Sequence, residues 1–337
     1  MKVLTRSVLL AAAMLVTAWG WARAEETTLL FSTANPPNAH LTVQIMHPWA
    51  ERINAAGKGI IHIEVRDGYT LTDPGNYLTR VLDDVAQMSW GNLSLVGGRF
   101  QRTGVVALPF EAERAEDSSL ALWRLYKSGI LDADFPDIVP LYLVTFPQAG
   151  IHLTKPVASL DNLNGLKIIA GSRIGGQIVE RLGGSPLSFP PPEIYQTLQR
   201  GGANGVNIQW TAFQPFKLAE VTHFHIEAQL GSAAATIFMA KKRYEALPAA
   251  ARKIIDDNSG EAQSRAFGAF WDRVDKEGRD DVSKAPDHKI VELSAAQKAA
   301  WQQKIAPLVD EWAKTTPDGA KVLAAYRQQL AAVKAGH

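Results

Sequence analysis

The sequence predicts an α/β fold in which parallel or mixed sheets are covered by helices. Three observations predict it. The first hundred residues repeat a strand, helix, strand rhythm, the rhythm resumes after residue 140, and beyond Pro248 long helical stretches take over. Alternation of two-residue and helical hydrophobic periods marks sheets flanked by helices.

Thr27 to Ser32 (TTLLFS) is β-rich and breaks at once on Asn35-Pro36-Pro37-Asn38. A helix is expected from about Leu41 to Ala55, with Trp49 and Ile53 at helical spacing, ended by Gly57 and Gly59. Ile60 to Val65 alternates as a strand does, Asp73-Pro74-Gly75 opens a helix through Leu82, and Ala86 to Trp90 is the next strand. Leu141 to Val144 and Gly165 to Ile169 are strand-like, and Gly175 to Leu182 is helical up to Gly183-Gly184. Pro190-Pro191-Pro192 begins a helix over Glu193 to Gln199 that stops at Gly201-Gly202, with proline at its start and glycine past its end. Ala203 to Gln209 returns to the sheet, and the apolar strand Thr236 to Ala240 reads as a crossover back to the first domain. Farther on, Phe267, Phe270, Trp271 and Val274 share one helical face, and Pro286 closes the stretch. Ser294 with Gln297 resembles a capping box and opens a helix carrying Trp301, Ile305, Leu308 and Trp312 on one face. These stripes read as core packing.

The N-terminus has the form of an export signal. Lys2 and Arg6 precede an apolar run from Val8 to Val16, and Ala22-Arg23-Ala24 supplies the small residues that a signal peptidase needs, so cleavage is expected before Glu25. Its loss removes three of 35 basic residues and none of 34 acidic ones, leaving the mature chain near −2. That balance points to neither nucleic acid nor a membrane surface as partner. With no cysteine there is no disulfide, thiol nucleophile or thiolate metal site.

Enzyme signatures are missing as well: the chain has no GxSxG, HExxH or P-loop pattern, and GSRIGG lacks the dinucleotide-binding glycine spacing. His223 and His225 share a face if Val221 to Ile226 is a strand, but no third ligand lies close in sequence, so they read as surface or packing histidines and no metal site is expected. Asp83-Asp84 and Asp256-Asp257 read as solvated helix faces.

Several phrases of the middle of the chain come in a fixed order: KPVASLDNLNGLKI, then LGGSPLSFPPPEIYQTLQRGGANGV, then KLAEVTHF, then Leu247-Pro248, with VALPFEA at Val106 to Ala112 before them. Together they resemble the DctP-type solute-binding proteins of tripartite ATP-independent periplasmic (TRAP) transporters. The resemblance covers essentially all of the mature chain. It implies a two-lobed periplasmic binding protein, a flytrap with mixed sheets, hinge strands and a long helix spanning both lobes. Residues 25–147 with 235–275 would form lobe I, and residues 148–234 with 276–337 would form lobe II. It also implies a periplasmic protein that is not an enzyme, needs no cofactor, closes on a small organic acid and delivers it to TRAP membrane permease subunits.

The chain departs from the family pattern where charge is usually met. The strand at GLKI ordinarily ends in an arginine that pairs with the solute carboxylate, and here that position is Ile169. The turn after the LQ-G helix is written Asn204-Gly205, and the second frequent arginine, near Ala149 to Ile151, has no counterpart. These losses argue against a simple dicarboxylate or a sialic-acid-like solute, and for an organic acid with an apolar or aromatic body. The residues expected at the solute are Asn35 after the first strand, Trp90 and Asn92 at a first-lobe strand end, Ile169 with Arg173 beyond it, Phe189, and Asn207, Gln209, Trp210 and Phe213 after the second-lobe strand. The substitute cation would be Arg173. An ABC-type or sensor-linked binding protein, or a non-transport periplasmic protein on the same fold, are the alternatives.

Overall fold

The computed structural model describes residues 26–336, so the export segment expected over residues 1–24 lies outside the described residues. Among the described residues, no helix is long and apolar enough to cross a membrane.

The chain builds a first sheet, a second sheet, and then returns. Strand β1 (Thr27–Ser32) pairs in parallel with β2 (Ile61–Arg66) and β3 (Met88–Asn92). Between β1 and β2 runs α1 (His47–Ala56), preceded by a π-helical stretch over Thr42–Met46, and it buries Trp49 and Ile53 as their spacing predicts. Helix α2 (Tyr77–Leu82) precedes β3, and α3 (Ala115–Lys127) precedes β4 (Ile138–Thr145). The second sheet takes β5 (Gly150–Leu153), β6 (Lys167–Ala170), β7 (Ser185–Leu187), β8 (Gly205–Ile208) and β9 (Phe224–Glu227), interleaved with α4 (Arg173–Arg181), α5 (Pro191–Gln199) and the short α6 (Phe213–Phe216). The wholly buried β10 (Ala234–Ala240) then crosses back and lies antiparallel between β3 and β4, giving the order β2-β1-β3-β10-β4.

After β10 come α7 (Lys241–Glu245), α8 (Ala249–Asp257) and the long α9 (Glu261–Ser283). Strand β11 (Lys289–Glu292) adds in parallel to β9 and completes the second order, β11-β9-β5-β8-β6-β7. Helices α10 (Ala295–Ile305), α11 (Pro307–Thr315) and α12 (Gly319–Lys334) finish the chain. The Ser294–Gln297 capping box is formed. The single helix expected after it is two, because Pro307 has no N–H to continue the ladder and begins a new helix; Trp301, Ile305, Leu308 and Trp312 are nevertheless all buried. The terminal helix also differs from the expected grouping of residues 276–337 with lobe II. It packs on α3 beside the first sheet, where Tyr326 meets the Ser118 hydroxyl at 2.6 Å and Arg327 grips Glu111. Apolar faces state that a helix is buried, not against which layer.

Three segments connect the lobes before the chain crosses once more, between β11 and α12. Residues 146–149 and 229–233 run side by side as a hinge, through Phe146 N–H to Ala233 O (3.0 Å), Ala149 N–H to Gly231 O (2.9 Å) and Leu230 N–H to Ala149 O (3.2 Å). The third is α9. In its first half, Phe267 lies against Trp90 and Tyr142, and Trp271 against Phe146, with ring centroids 5.0 to 5.5 Å apart. The Asp272 carboxylate accepts the N–H groups of Ala115 and Glu116 at the start of α3 (2.7 and 3.0 Å). One turn later, Asp275 accepts Thr211 N–H (3.1 Å) from the second lobe, and beyond it Arg279 pairs with Glu227 at the end of β9.

Burial and the neighbouring Asp272 charge push the Asp275 carboxyl up to about 7, against the pull of its backbone donors. A raised carboxyl binds its proton more tightly folded than unfolded, so its contribution to stability is present at low pH and is lost as pH rises from 3.8 to about 7. Asp275→Asn is therefore expected to gain melting temperature relative to the unaltered protein as pH climbs through that window, with the difference level above it. Thermal unfolding at matched pH values checks this, and a difference independent of pH would refute it.

Candidate functional site

The strand ends of the two sheets converge on a cleft beside the hinge, the place where open α/β sheets bind ligands. From the first lobe it is lined by Asn92 at the end of β3, the following Ser94 and Leu95, and Ala107. The second lobe supplies Gly171, Ser172 and Gly175 around the start of α4, Phe189 and Ile194 near α5, and Val206 to Gln209 along β8 and just after it. Hinge residues Leu230 to Ala233 form the floor. Among the described residues, no charged side chain lines this cleft.

Its polar groups are held in place by local chemistry. The Asn92 Oδ1 atom accepts both the N–H and the hydroxyl of Ser94 (3.1 and 2.7 Å), while its carbonyl accepts the buried Tyr77 hydroxyl (2.8 Å). Ser172 caps α4 by accepting Gly175 N–H at 3.0 Å. Helix geometry leaves the N–H groups of Arg173 and Ile174 without an acceptor inside the helix, which makes this end of α4 attractive to an anion. Asn207 sits opposite: a Cβ on Gly175 would come within 3.2 Å of Asn207 Oδ1, so the bare glycine is what lets amide and helix approach so closely. Gly231 matters for the floor, because its φ is +88° and a side chain there would lie 2.1 Å from Ala107 O.

Of the residues expected at the solute, Asn92, Phe189, Asn207 and Gln209 come together on the cleft wall. The others do not line it. Asn35 turns inward on its own loop, its amide donating to the Thr33 hydroxyl at 2.7 Å. Trp90 is buried against Phe267 and Phe146 in the first-lobe core. The Ile169 side chain is fully buried among Ile194, Leu198 and Val206, beneath the wall and not in it. Arg173 is exposed at the first position of α4 and stands outside the lining. Trp210 and Phe213 pack on His152, at 4.5 and 4.7 Å between ring centres, in the second-lobe core. A residue that follows a strand end can point into the cleft or under it, and spacing does not separate the two.

Sequence reasoning passed over Ser172, Gly175 and the hinge residues Gly231 to Ala233. A signal existed for Ser172, since serine before a helical run is a capping pattern. The floor had none, because it forms only when both crossing segments pair. A second hollow, lined by Phe110, Glu227, Glu292, Lys298 and Trp301 among others, carries two carboxylates and is the poorer place for an organic anion.

Of the two histidines read as surface or packing residues, His225 is packed in the core and His223 is partly exposed. His225 is buried and joined by His152 (Nδ1 to Nδ1, 3.1 Å) and by His288 (Nε2 to Nδ1, 3.0 Å), while His223 stands beside Asp287 and His288. Burial pulls His152 down to about 3 and His225 to about 2, so both rings are neutral near pH 7.

Two α/β lobes, a paired hinge, a spanning helix and an uncharged cleft between strand ends define a solute-binding protein of the flytrap class. Residues 31–315 match the family model DctP, bacterial extracellular solute-binding protein family 7, and the chain belongs to that family. It is a TRAP-type solute-binding protein, a periplasmic transport class without a catalytic step. The chain is similar to a marine metagenome TRAP solute-binding protein specific for aromatic acid ligands, solved with 3-hydroxybenzoate, at 26% identity and TM-score 0.85, over 91% of this chain and 99% of the other. It is similar to a TRAP solute-binding protein from Rhodoferax ferrireducens solved with copurified benzoate, at 27% identity and TM-score 0.85, over 92% and 100%. Among curated proteins, the outer membrane transporter protein TsaT of Comamonas testosteroni is 25% identical over 326 residues, 92% of this chain and 94% of its own.

Because Trp210 is packed into the second-lobe core, Trp210→Ala should lower unfolding free energy by about 3 kcal/mol or more. Arg173→Ala, an exposed change, should leave it within about 0.5 kcal/mol. Denaturant titration measures both, and a Trp210→Ala protein of unaltered stability would contradict the packing.

Proposed function

We propose that the protein, exported through a cleaved segment over residues 1–24, captures a small aromatic monocarboxylate between its lobes and delivers it to the membrane subunits of a TRAP permease. The observation that carries the reading is a cleft with amides, hydroxyls and a helix start but no cation, set beside Phe189, Ile194, Val206 and Leu230. One carboxylate can be met by the free N–H groups of α4 and the amides of Asn207 and Gln209, since hydrogen bonds to a charged group are worth more than neutral ones. A second carboxylate would be buried without a partner, which is costly. The apolar wall suits a ring. The two similar proteins solved with 3-hydroxybenzoate and benzoate support the same solute class. A solute touching Asn92 on one lobe and Asn207 on the other would favour the closed state through its differential affinity for it.

Isothermal titration of the mature protein tests this. Benzoate and hydroxybenzoates are expected to bind at least about tenfold more tightly than succinate, a difference of about 1.4 kcal/mol. Asn207→Leu should weaken benzoate binding by about tenfold or more, as the loss of a hydrogen bond to a charged group does, and Arg173→Ala by less than about threefold. Tighter binding of succinate than of any aromatic acid would overturn the proposal.

A further inference from the structure

The histidines on the far side of the second sheet have no part in the cleft, yet they are organised. His223 leads into β9, while Asp287 and His288 lead into the neighbouring edge strand β11, and Lys289 N–H to His223 O (2.9 Å) holds the two strand starts together. Each of the three side chains offers one ligand atom, and these atoms all lie within 4.8 Å of one another. His223 Nδ1 stands 3.3 Å from Asp287 Oδ2, and His288 Nε2 stands 3.9 Å from Asp287 Oδ1. Ligand atoms about 2.0–2.2 Å from a tetrahedral zinc ion lie roughly 3.3–3.6 Å apart, so only a small inward movement separates this arrangement from a coordinating one. We propose that His223, Asp287 and His288 form a site for a divalent transition metal of the zinc class at the outer edge of the second lobe.

Two further observations favour a metal over a chance cluster. His223 Nδ1 is closed off from solvent and has no hydrogen-bond partner, and its contact with Asp287 lacks hydrogen-bond alignment. A buried ring nitrogen facing a carboxylate without bonding to it is placed as a ligand is placed. The second is the chain of rings behind His288. The Ile208 carbonyl can only accept, so His152 Nε2, 3.0 Å away, carries a hydrogen. In a neutral ring His152 Nδ1 is then an acceptor, which puts the hydrogen of the next bond on His225 Nδ1. His225 Nε2 in turn accepts from His288 Nδ1. The network thus leaves His288 Nε2 as a lone pair, directed to the Asp287 side. A metal-bound imidazole is typically oriented by a hydrogen bond from its other nitrogen, and His225 supplies that bond here.

The donor set is two imidazoles and a carboxylate, with no thiolate in the chain, which suits Zn²⁺, Ni²⁺ or Cu²⁺ over Mg²⁺ or Ca²⁺. Asp287 is exposed, so a fourth position stays open to water. The bound ion would staple the edge strand β11 to β9 at the point where the chain leaves the spanning helix α9, which ends at Ser283. The ion would therefore stiffen the lobe without touching the solute.

The test is isothermal titration of tag-free, chelator-treated full-length mature protein with ZnCl₂, alongside thermal unfolding. One equivalent of Zn²⁺ is expected to bind and to raise the melting temperature, with no response to MgCl₂ or CaCl₂. Asp287→Ala, at the exposed rim, and His223→Ala, whose side chain is partly exposed beside it, should each weaken zinc binding by about tenfold or more, while the metal-free melting temperature of the Asp287 variant changes little. His225→Phe should weaken it by about 10–100-fold through loss of the orienting bond. If that buried change prevents folding, the two rim variants still decide the question. Absence of zinc binding, or binding that survives both rim substitutions, overturns the proposal.

Discussion

The molecule depends on one helix that belongs to both lobes. Asp272 and Asp275 lie a turn apart on α9, and each receives backbone N–H groups from a different lobe: Ala115 and Glu116 on one side, Thr211 on the other. The contact is close enough on the second-lobe side that a Cβ on Gly278 would come within 2.8 Å of Trp210 O. A flytrap needs lobes that are rigid in themselves and joined by segments that bend, and α9 with the paired hinge provides that joint. The Asp272 carboxylate at the start of α3 is also favoured by the local dipole there.

From this joint follows the character of the cleft. Strand ends of both sheets face it, and the hinge floor at Leu230 to Ala233 closes it from behind. Its polar atoms are tied to fixed backbone: Ser172 to the first turn of α4, Asn92 to Ser94 and Tyr77. Such groups reorganise little when a solute arrives, which lowers the cost of binding. On β5 and β9 of the second sheet the neutral rings of His152 and His225 fill the core, joining Ile208, beside the cleft residues Asn207 and Gln209, to His288.

Legibility in the sequence was uneven, and for physical reasons. Positions of β1, β6, β8 and β10 and the glycine or proline ends of α1 and α5 could be read because they depend on neighbours in the chain. The stripe at Phe267, Phe270, Trp271 and Val274 was read as core, and all four side chains are buried. Trp90, Trp210 and Phe213 were expected at the solute and are core instead, since an aromatic after a strand end has the same sequence context on either side of the wall. The meeting of His223 with Asp287 and His288, over sixty residues apart, leaves no mark in either stretch.

The sequence by itself determined the α/β class, the rhythm of its elements and the family. These are properties of local periodicity, turn chemistry and residue identity. Only the tertiary structure decided that Ile169 lies beneath the cleft and Arg173 outside it, that Ser172, Gly175 and Asn207 meet across the wall, and that the last helix rests on α3. The reason is that burial of an apolar face can be satisfied by several partners. Which partner is chosen depends on the packing of the whole chain.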